Sequence, residues 1–529
     1  MELISLKFVL FLAVLLVVYY VVGRFAPKSQ WIVLLVGSLA FYALAGGLLG
    51  LALLVGSAFV TWIGALVLYG YERRCKKACE ETDRQEEQVQ IVKSHRRKRR
   101  LVLVGTFLLF IAELVFFKTR DGVPPYPGST LPARSLVVPL GLSFYLLQEL
   151  GYLIDTYKSR VLPQGNFARY LLFVSYFPQI AYGPINRYGE LNDHLVKAHR
   201  PYGPRIERGL LRMGFGALKI LAITNVLSNA VDAVFRAAAG PQIPGSLAWY
   251  GVIVYAIYAY AEFSGVIDIT EGVSELLGIK MPSSYRQPFF ATSMTDYWGR
   301  WFVPLLAWMH DYVYEPLLAC KPLRSLSRWL HERINPRTGA ALAACVPTLF
   351  VYVLVGLWHG MAPQYAAWGL YNGAVIALSA LCVPLFAKLT NALRIPRESK
   401  RLYAFRLVRT FALVCVGRFF ECFGSVTNAL YALGSAFADP FAMSLPKALG
   451  EAGAVYAGGL GFTGPTLLAC ALMLLVDIAR ENNVDVRTTI LRWRLPARVA
   501  LYAFVCVLMG CAAALDTTNG GGDLLYALS

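Results

Sequence analysis

The sequence predicts an all-α, polytopic transmembrane protein, and three observations predict it. Of 529 residues, 57% are hydrophobic and 16% charged, and the mean hydropathy is +0.52; a soluble domain carries roughly 25% charged residues. The apolar residues come in blocks of about 18–25, the length that crosses a bilayer core at about 1.5 Å of helix per residue. The basic residues lie in the loops between those blocks, as the positive-inside rule requires.

The blocks fall at residues 3–22, 31–48, 50–70, 101–117, 136–154, 209–235, 248–269, 341–358, 364–385, 405–423, 453–477 and 496–515. With re-entrant pieces they predict about 11–13 membrane helices around a central chamber, in one integral membrane domain over residues 1–529. Leu3 to Val22 is interrupted by Lys7 and followed by no small-residue cleavage site, so it reads as a permanent helix and not a removed signal peptide. Tyr170 to Ile185 holds Pro178, Gly183 and Pro184. Helix breakers are tolerated at membrane depth only where protein or a water-filled cavity receives the freed backbone groups, so this stretch is expected to be re-entrant. Phe289 to Leu318 is apolar and aromatic yet carries Asp296, Arg300, His310 and Asp311. It too should be buried in protein, lining a cavity against the helix of Asp268.

The net charge of +18 raises nucleic acid as a partner, but its placement points to the lipid bilayer. The densest run, Glu72 to Arg100, reads as a basic cytoplasmic loop facing anionic lipid. Placing it inside puts Arg24, Lys28, Arg187–Arg212, Lys321–Arg337, Lys388–Arg409 and Arg480–Arg498 inside as well. Asp121–Pro132, Gly240–Gly245 and both termini then lie outside. Most of the ten cysteines sit within apolar blocks, where thiols behave as small hydrophobes, so no disulfide framework is implied. Cys75 and Cys79 share a helix face beside the basic run, a spacing open to a metal site or to lipidation; no His or Cys pair stands nearby to complete a metal site, so they read as two reduced cysteines.

Polar side chains at membrane depth mark function by default. Asp268, Glu271 and Glu275 follow i, i+3, i+7 spacing and share one helix face. Arg286, Asp296, Arg300, His310 and Asp311 follow among aromatics. Acid–base pairs of this kind can equally tie helices together. Val355 to Gly373 places His359 at the end of an apolar helix between Trp358 and Gly360; Pro363 then opens a helix carrying Trp368 and Asn372. Of the six histidines, His95, His194 and His199 sit in charged loops and His331 in a basic amphipathic stretch.

These segments resemble the membrane-bound O-acyltransferase family, and within it the bacterial alginate O-acetyltransferase branch. The resemblance rests on Ser143-Phe144…Gln148…Leu153-Ile154-Asp155-Thr156-Tyr157, Phe177-Pro178…Gly183-Pro184-Ile185, and Phe263-Ser264-Gly265…Asp268. It continues through Gly278-Ile279…Pro282, Pro288, Asp296-Tyr297-Trp298-Gly299-Arg300-Trp301, Asp311-Tyr312 and Gly356 to Gly360. It covers residues 140–373 as a core, with echoes at Gly417-Arg418-Phe419-Phe420 and Asp523-Leu524-Leu525-Tyr526. This chain has Phe302 where the branch has a histidine after Arg-Trp, and His310 where it often has arginine. An eight-residue displacement is about 12 Å along a helix and 80° around it, so His310 is no simple substitute.

The resemblance implies an O-acyltransferase of a bacterial plasma membrane whose catalytic residue is His359. It implies an acyl group, acetyl first among them, passed from a cytoplasmic thioester to a polysaccharide outside. The donor would be acetyl-CoA or an acyl-carrier protein, as co-substrate and not as bound cofactor, with a secreted acyl-transfer protein as partner. Trp358 and Trp368 would wall the chamber; Asn372 or Arg300 would steady an oxyanion; Asp296, Asp268 and His310 are supporting candidates. The alternatives are D-alanyl transfer to teichoic acid, an inactive scaffold suggested by Phe302, and a transporter.

Overall fold

The computed structural model describes residues 3–120, 138–180, 182–237, 243–396, 398–441 and 464–515. Regular structure among them is helical throughout. The expected outer loop at 121–132, half of that at 240–245, the start of the block at 453–477 and the carboxyl terminus lie outside the described residues. The described residues form two compact units, one of residues up to 210 with 270–282, the other of 211–269 and 283–515.

In the first unit, α1 (Leu6–Phe25) opens on Ser5, whose hydroxyl accepts the Phe8 amide at 3.2 Å. α2 (Gln30–Glu80) has 51 residues, about 76 Å if straight and more than twice a bilayer core. Gly47 breaks it, with φ 74° and ψ 169°. The blocks at 31–48 and 50–70 are thus two helical arms that meet at Gly47. α3 (Gln85–Arg120) begins only four residues after α2 ends. The basic stretch 72–100, expected as a loop, is therefore a helical hairpin, in which Glu72 pairs with Lys76 at 3.2 Å and Arg99 at 3.3 Å. Its Glu, Gln, Lys and Arg are good helix formers, so polarity alone did not end the helix.

α4 (Leu142–Tyr157) is followed by α5 (Phe167–Ser175), α6 (Phe177–Ile180) and α7 (Tyr188–Val196). Between α5 and α6 Tyr176 leaves the helical region, as expected just ahead of Pro178. The Phe177 amide freed by the break donates to Ser38 Oγ at 3.2 Å, and residues 170–180 are all buried. The segment from Tyr170 is not a regular span.

α8 (Gly203–Lys219) runs through a π-helical turn, Ile220–Thr224, into α9 (Asn225–Ala237), and α10 (Gly245–Leu277) follows. In the second unit the stretch 289–318 is broken into α11 (Met294–Trp298), α12 (Val303–Met309), a π turn at His310–Tyr314 and α13 (Glu315–Leu318). It packs Phe289 and Trp301 on Tyr260 of α10, at 5.1 and 6.2 Å between ring centres. α14 (Lys321–Arg333), α15 (Pro336–His359), α16 (Pro363–Leu381), α17 (Val383–Ala392), α18 (Lys400–Cys422), α19 (Val426–Ala438), α20 (Gly464–Glu481), α21 (Val486–Leu491) and α22 (Leu495–Leu515) complete the order.

Among the described residues seven helices are long and apolar enough to cross a membrane, or eight if the bent pair α16–α17 makes one span. Counted on the described residues alone, these agree with the expected polytopic, all-helical class. The break at Gly47 separates the two expected blocks within α2, and α4 has 16 residues. α18 carries Lys400, Arg401, Arg406, Arg409, Arg418 and Glu421, and α20 carries Asp477, Arg480 and Glu481. The protein is a multi-pass membrane protein.

α15 and α16 touch through glycines. A Cβ on Gly356 would stand 2.1 Å from the Tyr365 carbonyl oxygen, and one on Gly369 2.2 Å from that of Tyr352. Gly434 of α19 has nothing within 4 Å of such a Cβ. Gly356→Ala is therefore expected to lower the unfolding midpoint in detergent, overpacking by about 1–3 kcal/mol. Gly434→Ala should hold or raise it, since alanine is the better helix former by about 1 kcal/mol. Equal midpoints for the two variants would count against the close approach.

Candidate functional site

α15 ends at His359 because Gly360 turns extended, at φ −178° and ψ 157°, and Pro363 takes the first position of α16 after the Ala362 cap. The sequence expectation for this helix end holds. His359 is half-buried. Its ring meets Trp358 edge-on at 5.0 Å and Trp368 at 5.2 Å. Trp368 in turn meets Trp298 at 5.4 Å, and Trp298 meets Tyr352 at 5.7 Å. Asn372 is 2% exposed and ties the tryptophans together. Its Oδ1 accepts from Trp298 Nε1 at 3.3 Å, and its Nδ2 donates to the Trp368 carbonyl at 2.9 Å. One amide proton of Asn372 is left for another acceptor. Phe302 stacks on Trp358 at 6.3 Å. The structure thus gathers His359, Trp358, Trp368 and Asn372, all nominated by sequence, with Trp298 and Phe302 added.

The other nominated residues belong to other contact groups. Ser293 caps α11 by accepting the Asp296 amide at 3.1 Å, and Asp296 Oδ2 accepts the Thr292 amide at 2.9 Å. Asp296 Oδ1 also accepts from Arg300 Nε at 2.7 Å, while Arg300 Nη1 reaches Glu481 Oε2 at 2.7 Å. Arg300 thus spans two carboxylates, a shape-holding arrangement. Asp268 lies between Arg212 at 2.9 Å and Lys219 at 2.7 Å, and Lys219 also donates to Ser264 at 3.0 Å. The Phe263-Ser264-Gly265…Asp268 pattern thereby becomes the receptor for a buried lysine. His310 is exposed, bonds Asp311 at 2.9 Å and stacks on Tyr314 at 5.3 Å.

Arg418 was not nominated for the site. It is 6% exposed, pairs with Glu421 and donates to the Tyr297 hydroxyl at 3.3 Å. Its guanidinium lies 4.9 Å from the Trp301 ring centre, a cation–π distance. Tyr297 meets Trp298 edge-on at 5.4 Å, so Arg418 braces the turn that carries Trp298. The available signal was an Arg and a Glu three apart inside an otherwise apolar run, Phe411 to Phe423.

Comparison with known proteins places this geometry in context. The model of the membrane-bound O-acyltransferase family matches residues 155–416, which include all of the His359 cluster. A probable alginate O-acetylase of Azotobacter vinelandii is 28% identical over 300 residues, 56% of this chain and 52% of that protein. A peptidoglycan O-acetyltransferase of Helicobacter pylori is 26% identical over 395 residues, 68% of this chain and 66% of that protein. A teichoic acid D-alanyltransferase of Bacillus subtilis is 26% identical over 295 residues, 55% of this chain and 70% of that protein. The chain spans about half the length of the alginate O-acetylases it matches.

The family match stops two residues short of Arg418, so its bracing role needs its own test. Breaking a buried pair by removing one partner costs about 3–5 kcal/mol. Arg418→Met should lower the unfolding midpoint of the detergent-purified protein sharply, and Arg418→Met with Glu421→Met should regain much of the loss. A double variant no more stable than the single would show that the Arg418–Glu421 pair is not what holds this turn.

Proposed function

Because the chain belongs to the membrane-bound O-acyltransferase family, we propose that it is an O-acyltransferase that passes an acyl group, acetyl first, from a cytoplasmic thioester to hydroxyls of a polysaccharide outside the cell. The observation that carries this reading is His359 at a helix end between the rings of Trp358 and Trp368. A hydroxyl is a poor nucleophile, and its proton must leave as the new C–O bond forms. Imidazole titrates near neutrality and can take that proton. The acyl C–S bond then breaks and the thiolate departs, to be protonated in turn. The tryptophans exclude water that would hydrolyse the donor. The remaining amide proton of Asn372 is suited to a developing oxyanion. Arg300, engaged by two carboxylates, serves shape.

The donor in this reading is acetyl-CoA or an acyl-carrier thioester, drawn by the basic cytoplasmic surface of a chain with net charge +18. The acceptor is a cell-envelope polymer. Alginate, peptidoglycan and teichoic acid are the polymers named for the relatives. A secreted protein completing the transfer fits the same scheme, as do a bacterial plasma membrane and termini on its outer side.

Two measurements test the proposal. Losing a general base costs about 10²–10⁴-fold in rate, so His359→Ala should abolish polymer acylation per unit of membrane protein at normal abundance. His310→Ala should lower it mildly and only in step with protein level. Near-normal acylation by His359→Ala would remove the assignment. Alkaline release followed by identification of the acid would separate acetyl from D-alanyl. For orientation, single cysteines on a cysteine-free background, exposed to an impermeant thiol reagent on intact cells, should stay unlabelled at residues 81–84. They should label within 121–132; the reverse pattern would invert the topology.

A further inference from the structure

The first unit has a long apolar groove that the chemistry at His359 leaves unexplained. α1 contributes residues from Lys7 to Val18, and the first arm of α2 contributes Ile32 to Leu44. The groove holds about 890 Å³. Its rim residues face outward, with Leu10 57%, Val14 64%, Val36 60% and Leu44 69% exposed. Small residues, Gly37 and Ala40, line it on the α2 side; a Cβ on Gly37 would press on Leu15 at 2.6 Å, so the helices close tightly at the floor.

Two features of this groove select its occupant. Along α1 the lining runs from Lys7 to Val18, eleven steps of helix or about 16 Å, which is close to the depth of one leaflet, half of a core roughly 30 Å thick. At one end stands Lys7, exposed and without an ion-pair partner among the described residues; the other lining residues are apolar. A concave hydrocarbon slot of one-leaflet length with an ammonium at its end is complementary to a single lipid, tail in the slot and phosphate at the lysine. We propose that this groove binds one acyl chain of an anionic glycerophospholipid, with its phosphate held by Lys7. Leaving the slot empty would forfeit the dispersion contacts of its whole lining. The site stands apart from the acyl-transfer reading and does not rest on it.

The test uses the full chain in phosphatidylcholine vesicles, with a trace of phosphatidylglycerol or phosphatidylcholine carrying a photoactivatable diazirine in one acyl chain. Adducts are mapped by mass spectrometry. Wild-type protein should concentrate phosphatidylglycerol adducts on residues 7–18 and 32–44, above the level on the exposed face of α22. It should favour that probe over the phosphatidylcholine probe by about five-fold, the worth of one lysine near an anionic surface. Lys7→Gln should erase the preference while keeping the adducts. Ala40→Phe, at an exposed position, should fill the slot and bring its labelling down to that of α22, whose own labelling reports intact folding. Groove labelling no higher than α22, no preference in the wild type, or indifference to Ala40→Phe would overturn the proposal. So would disulfide-linked dimers of Val14→Cys on an otherwise cysteine-free background, with no lipid adducts in the groove, which would make the groove an interface between two copies.

Discussion

In hydrocarbon a polar side chain has no water to bond, so each one must be answered from within the protein. Asp268 shows the rule in its strictest form: its two oxygens are taken by Arg212 and Lys219, and Lys219, 1% exposed, gives a further bond to Ser264. Removing Asp268 would leave the buried Lys219 without the carboxylate it bonds, at about 3–5 kcal/mol. The same rule places Ser38 at the amide that the break before Pro178 sets free. It also sets Glu421 against Arg418. These ties decide where helices lie against one another, and hydrophobic packing fills in around them.

The ties also divide labour in the second unit. α11 is held by charge on two sides, through Asp296–Arg300–Glu481 and through Tyr297 to Arg418. Between them it presents Trp298, which meets α16 through Asn372 and Trp368. His359 then meets the rings of Trp358 and Trp368. An acid–base group must be positioned closely to act, because misplacement by about 1 Å can cost two orders of magnitude in rate. A site walled by stiff rings that are anchored by ion pairs meets that demand.

What the sequence shows is local, and what it hides is remote. Gly356, His359, Gly360 and Pro363 are punctuation within eight residues, so the end of α15 and the start of α16 can be read directly. So can the break at Tyr176, because proline dictates it. Trp298 and Asn372 are 74 residues apart, and Arg300 and Glu481 are 181 apart. Such pairs leave no periodicity, and only the fold reveals them. The basic stretch 72–100 is a different case: charge marks a segment as lying outside the bilayer but says nothing against helix.

Phe302 is the residue in which sequence and geometry meet. It stands where the resembling branch has a second histidine, and it takes a left-handed backbone, φ 43° and ψ 55°. A bulky residue keeps that conformation only where its surroundings over-determine it. Here they do. The Val303 amide donates to the Ser284 carbonyl and the Arg286 amide to that of Arg300, both at 2.9 Å. The side chain is thereby fixed against Trp358, one ring away from His359. A phenyl group neither takes nor gives a proton, so position 302 cannot share the acid–base work proposed for His359. What it contributes is a dry, rigid backing for Trp358. His310, exposed and bonded to Asp311, is not placed to fill the vacancy. Position 302 therefore adds no second proton-transfer group beside His359 in the proposed reaction.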